Sequence, residues 1–145
     1  MNTNNHDNSA RANSYVLLPN PAYDPENPDI PDQDPHNMIR YDNFVRQLFK
    51  ADTEQVMALH AALGCAGEAG ELADAIKKEY IYGKARDRAN IVEELGDLRF
   101  FAQAVMNHYG ITESELLQAN AEKLAKRYNG LRYSDRAAID RADKA

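Results

Sequence analysis

With 145 residues, 43% of them hydrophobic and 28% charged, the chain has the composition of one soluble domain with a single core. Its lone cysteine, Cys65, excludes an internal disulfide and fits a reducing compartment, and no Cys/His spacing suits zinc. A net charge of −6 gives no basic footprint for DNA or RNA, and nowhere do eighteen apolar residues run together. With a polar start that lacks a basic region followed by an apolar run, the expectation is a cytoplasmic protein with neither a nucleic-acid partner nor a membrane span.

Residues 1–37 form an acidic arm, with Asp7, Asp24, Glu26, Asp29, Asp32 and Asp34 set against Arg11 alone. All six prolines lie within residues 19–35, in polar sequence that can form neither a long helix nor a central strand. The arm is expected to be extended, either disordered or laid along a neighbouring subunit by its apolar patch Tyr15-Val16-Leu17-Leu18. Helical spacing begins in the 39–50 stretch, where Tyr41, Phe44, Val45 and Leu48 share a face. Asp52-Thr53 then caps a long helix over about 53–82 that carries Val56, Leu59, Leu63, Ala66, Gly70, Ala73, Ile76 and Tyr80 as one apolar stripe and ends at Gly83. Asp87 opens a third helix, about 88–109, with Val92, Leu95, Leu98, Ala102, Val105 and Met106, stopped by Gly110. Thr112 and Glu115 have capping-box spacing for a fourth helix to about Tyr128, with Leu117, Ala121 and Leu124 in register. Asn129-Gly130 reads as its C-cap, and residues 131–145 as a charged, weakly helical tail. The fold class is therefore all-α: a helical domain over 38–130 in which four helices are joined by short connections. Apolar positions on more than one face suggest that subunits share a core, as a homodimer or homotetramer.

The segment 63–72 holds three glycines and two glutamates inside the long helix. Gly64, Gly67 and Gly70 each cost about 1 kcal/mol against alanine in a helix interior, and Glu68 and Glu71 repel each other at i,i+3. Stability does not ask for such a segment; a close approach to the backbone and a cation between the carboxylates would. At about 100° per residue, Glu68, Glu71, Gly64 and His60 lie on one side of the helix, away from the apolar stripe. Glu94 and Asp97 repeat the i,i+3 pair on the next helix, with Phe101 following on that side. Gly96 between them is expected to let the two backbones approach. Two acid pairs on consecutive antiparallel helices can thus face each other, and four converging carboxylates need a cation. Oxygen donors alone select a hard divalent ion such as Mg2+, which leaves room for a phosphorylated ligand. A di-iron site would need Glu-x-x-His, which does not occur. The competing view is a solvated acidic face, since i,i+3 acid pairs also arise at Glu71/Asp74 and Asp140/Asp143.

Leu63-Gly-Cys-Ala-Gly-Glu-Ala-Gly-Glu-Leu72, then Glu93-Glu-Leu-Gly-Asp-Leu98, then Asn120-Ala-Glu-Lys-Leu-Ala-Lys-Arg-Tyr128 resembles the MazG-like members of the all-α nucleoside triphosphate pyrophosphohydrolase superfamily. The resemblance covers about residues 53–130, in the ordered blocks E-x-x-E, E-x-x-D and N-x-x-K. It implies a helical bundle whose active sites form with a partner subunit, and Mg2+-dependent cleavage of a nucleoside triphosphate to the monophosphate and pyrophosphate, with Mn2+ as a substitute. It further implies that Glu68, Glu71, Glu94 and Asp97 are metal ligands and catalytic groups, and that Asn120 and Lys123 reach the phosphates. Secondary candidates for substrate contact are Phe101, which could stack on a base, His60 on the acid stripe, Lys78 and Arg127. For each of these the plainer reading is core packing, a structural histidine or an exposed helix charge. Tyr41 or Phe44 is a further candidate to close a base pocket. The alternatives in other classes are a non-catalytic nucleotide-sensing or interaction module and a purely structural oligomeric bundle.

Overall fold

In the computed structural model the described residues are 15–19, 26 and 38–144, and the rest of the proline-rich arm lies outside them. The element order is β1 (Tyr15–Pro19), β2 (Met38–Arg40), α1 (Tyr41–Leu48), α2 (Glu54–Tyr80), α3 (Arg88–Tyr109), α4 (Glu113–Arg127) and α5 (Asp135–Asp140). Short 3-10 turns lie at Asn129–Leu131 and Ala142–Lys144. The architecture is mostly helical, as the sequence predicts, with one addition. The apolar patch of the arm is β1, paired antiparallel with β2, Tyr15 opposite Arg40 and Val16 opposite Ile39, with an irregularity before Pro19 meets Met38. Proline lacks the amide that a ladder needs, and it stands at the strand's end. The first helix accordingly begins at Tyr41 rather than at residue 39.

Local chemistry sets the helix boundaries. Thr53 Oγ1 accepts from the Val56 amide at 3.4 Å, Asp87 Oδ1 from the Asn90 amide at 3.0 Å and Thr112 Oγ1 from the Glu115 amide at 3.1 Å. The reversals after α2 and α3 use left-handed glycines, Gly83 at φ +61 and Gly110 at φ +66. Across the first of these, Arg86 holds both carboxylate oxygens of Glu79 through Nη2 at 2.8 Å and Nε at 3.0 Å. Among the described residues no helix is long and apolar enough to cross a membrane.

The described residues fall into two compact units, divided between His108 and Tyr109. The core of the first is small: Val45, Ala61 and Ala104, surrounded by Tyr41, Phe44, Phe49, Phe100 and Val105. Asn107 Nδ2 donates to the Asp42 carbonyl at 2.9 Å, which fastens α3 to the start of α1. In the second unit the turn at Ala142–Lys144 packs on α4.

The apolar stripe of α2 does not enter this core. Leu63 is 62% exposed and Tyr80 70%, and Val56, Leu59, Ala66, Gly70, Ala73 and Ile76 are exposed as well, whereas Ala61 is the buried residue of this helix. On α3, Val92 and Leu95 are also exposed, while Met106 is buried. Spacing identifies an apolar face correctly; what covers it is a separate question.

At Gly64 the neighbouring helix comes close, because a Cβ there would overlap the ring of Phe101. At Gly67, Gly70 and Gly96 a Cβ would meet nothing within 4 Å among the described residues. The expectation that Gly96 admits the neighbouring backbone is therefore corrected: that role falls to Gly64, through a ring rather than a backbone. Gly64→Ala should destabilise the protein in urea titration by about 1–2 kcal/mol, the overpacking cost exceeding the gain of about 1 kcal/mol in helix propensity. Trimming the ring in the double variant with Phe101→Ala should remove this penalty. Gly96→Ala should instead stabilise by about 0.5–1 kcal/mol.

Candidate metal centre

The seat of Phe101 on Gly64 sets the register of the two helices. Ala61 and Ala104 share the core on one side of it. Moving away from that core, α2 climbs to Glu68 and Glu71 while α3 descends to Asp97 and Glu94, so the acid pairs arrive opposite each other. Carboxylate oxygens of Glu68, Glu94 and Asp97 all lie within 4.8 Å of one another. Glu94 is only 9% exposed, Glu68 is half-buried and Asp97 is exposed. Among the described residues none of the four acids forms an ion pair with a lysine or arginine.

The electrostatics are those of an uncompensated cluster. Burial pushes the Glu94 carboxyl above its ordinary value, and the charges of Glu71, Glu68, Glu93 and Asp97 push it further. Burial likewise raises Glu68, with Glu71 and Asp97 adding to it. Glu71 is exposed and stands outside the tight trio, yet its charge is the largest charge effect on both of its neighbours. Three oxygen donors at this spacing suit a hard divalent cation, which would convert their repulsion into binding.

Asn90, one turn before Glu94, donates from Nδ2 to Glu94 Oε1 at 3.4 Å. The sequence reading did not single it out, although its i,i+4 spacing from an acid of the cluster was there to be seen.

Beside the acids stands an aromatic group. His60 lies 4.9 Å from Phe49 and 5.7 Å from Phe101 between ring centroids, and Phe49 and Phe101 meet edge to face at 6.3 Å. His60 and Phe101 are thus brought within one or two turns of Glu68 and Asp97. Phe49, just past the end of α1, was not anticipated; it also lines an apolar cavity of about 180 Å³ with Val45, Met57, Ala104 and His108. Tyr41 and Phe44 stack at 6.0 Å against the core and do not form part of this aromatic group. Burial raises the Tyr41 hydroxyl, against the opposing charge of Arg99, whose guanidinium stands 5.5 Å from the ring.

The basic candidates are placed differently. Lys78 pairs with Asp74 at 3.0 Å, which Lys77 also contacts, so it serves a local helix pair. Asn120 and Lys123 are exposed on α4 in the second unit. Arg127 is already committed, to a bidentate pair with Asp143.

The raised carboxyls imply a definite pH response for the metal-free protein. A carboxyl whose folded pKa lies above its unfolded value penalises the folded state where it is ionised, and the penalty fades as pH falls toward the ordinary carboxylate range. In EDTA, Glu94→Gln should therefore raise the melting temperature at neutral pH, and its advantage over the parent should shrink as pH falls from 7 toward 4.5. With millimolar Mg2+ the order should reverse, the parent gaining stability by ligand linkage and the variant gaining little.

Comparison with known proteins bears on the same helices. Neither the curated proteins nor the solved structures yield a match. A MazG nucleotide pyrophosphohydrolase domain profile matches residues 58–131, just over half of the chain, and spans both acid pairs, the close contact at Gly64 and all of α4. The chain belongs to the MazG nucleotide pyrophosphohydrolase family.

Proposed function

We propose that this chain hydrolyses nucleoside triphosphates, ribo- or deoxyribo-, to the monophosphate and pyrophosphate, with Mg2+ held by Glu68, Glu94 and Asp97 and Glu71 as the fourth carboxylate. The observation that carries the reading is the partly buried, unpaired carboxylate trio within 4.8 Å, inside a family whose members act on nucleotides. Mn2+ fits the same oxygen donors. Bound there, the cation would neutralise charge on the phosphates and on the departing pyrophosphate.

The chain's own groups account for the rest. Asn90 steadies the Glu94 carboxylate. Glu71, exposed and outside the tight trio, is the acid with freedom to take a proton from the attacking water. His60, Phe49 and Phe101 offer an aromatic surface for a base, with Asp97 one turn from Phe101 and Glu68 about two turns from His60, where the phosphates would lie. Asn120 and Lys123 on α4 would bind the phosphate oxygens, as the family's last motif implies. The exposed stripe of α2 is a face for a second copy of the chain, since so long a run of bare apolar side chains is not left to water in a stable monomer.

The test is pyrophosphate release from a panel of eight ribo- and deoxyribonucleoside triphosphates, with and without Mg2+. Release with the ion and none in EDTA is expected, and Glu71→Gln should lower kcat by about 10²- to 10⁴-fold with helical content unchanged. Nucleotide binding without turnover of any substrate would favour a sensing module instead. Leu63→Glu should shift the assembly toward monomer in sedimentation velocity without loss of helix, and activity should fall with it. A parent protein that is monomeric at every concentration would remove the second copy from this account.

A further inference from the structure

The second unit contains an ion pair that the proposed reaction does not use. Arg127 donates from Nε and Nη2 to the two oxygens of Asp143, at 2.7 and 2.8 Å. The Asp143 side chain is fully buried and that of Arg127 only 16% exposed. Arg141 adds a second guanidinium, its Nε 3.6 Å from the same carboxylate. Arg127 lies inside the family match, which ends at residue 131, and Asp143 lies beyond it.

The placement of Arg127 gives the pair its meaning. On α4, Asn120, Lys123 and Arg127 follow at i, i+3 and i+7 and so share one stripe. Asn120 and Lys123 are exposed, and among the described residues they make no side-chain hydrogen bond or ion pair. The third member is just as well suited to an oxyanion, because a guanidinium fork fits carboxylate and phosphate alike. It is filled from within the chain.

We propose that Asp143 is an internal stand-in for phosphate on α4, and that the C-terminal turn is an autoinhibitory strap which a polyphosphate must displace to reach Arg127. The proposal rests on reading Asn120 and Lys123 as phosphate-binding groups. A polyphosphate brings more charge and more acceptor oxygens than one carboxylate, so exchange at two guanidiniums is favourable. The strap is built to let go. It is a three-residue 3-10 turn, Ala142–Lys144, entered through Arg141 in the left-handed region at φ 51, a conformation that a residue with a Cβ adopts only at a cost. The hydrogen bond from Arg127, with Arg141 nearby, holds the Asp143 carboxyl well below the usual carboxylate range, so it stays charged and able to pair at neutral pH.

Hydrogen exchange on the full-length parent, with and without inorganic tripolyphosphate and Mg2+, tests the displacement without any turnover. Saturating tripolyphosphate should speed exchange in the peptide containing residues 141–144 while slowing it in α4. In parallel, Asp143→Asn should bind tripolyphosphate about two- to fivefold more tightly, the change to which the upper half of the usual ion-pair range converts. The same variant should lower KM for the nucleotide by a similar factor at unchanged kcat, and should lose both gains when combined with Arg127→Gln. Unaltered exchange at 141–144 under saturating ligand, or weaker binding by Asp143→Asn with its helices intact, would overturn the strap. Nucleotide turnover that persists alongside unaltered exchange at 141–144 leaves the enzymatic reading standing and removes the strap. Displacement of 141–144 without turnover of any nucleotide supports the strap and removes the enzyme.

Discussion

The contact on which the first unit turns is the ring of Phe101 lying across the bare backbone of Gly64. It joins two helices otherwise short of shared core, for the central buried cluster is small: Val45, Ala61 and Ala104. Because both are continuous α-helices, one fixed point and an antiparallel course determine which residues meet farther along. Glu68 then faces Asp97 and Glu94. The aromatic surface and the acid cluster are two consequences of one seat.

Stability is surrendered at the place where chemistry is proposed. An acid cluster with no basic partner, one member of it 9% exposed, opposes folding in the absence of a cation. The helix that bears half of it contains three glycines, of which Gly64 alone answers a steric need among the described residues. Such arrangements persist where a ligand supplies the missing term, and a divalent ion among oxygen donors is the ligand these groups fit best.

Much of this was legible from residue order, and the parts that were not share a cause. Thr53, Asp87 and Thr112 announced helix starts, and Gly83 and Gly110 announced the stops, because capping and left-handed turns are chemistry between neighbours in the chain. The acids could be set on facing stripes from their spacing and their order on consecutive helices. Partner choice over longer separations could not be read that way. Phe49 joining His60, Arg127 spending its guanidinium on Asp143, and Tyr15–Pro19 pairing with Met38–Arg40 are each settled by tertiary geometry. The apolar stripe of α2 illustrates the difference most plainly. Its period identified a face without saying whether that face meets the chain's own core, and among the described residues it is left largely exposed.

The shared register of α2 and α3 also limits how this chain can change in length. One residue inserted between Gly64 and Glu68 would carry the carboxylate about 100° around the helix axis and about 1.5 Å along it, enough to remove it from its partners. The same insertion in the 81–87 connection would alter only the turn between the two rods, because the ring on Gly64 would hold them as before. Insertions and deletions should thus gather between the helices and be absent from the stretches 61–71 and 94–104, whatever happens to individual side chains there.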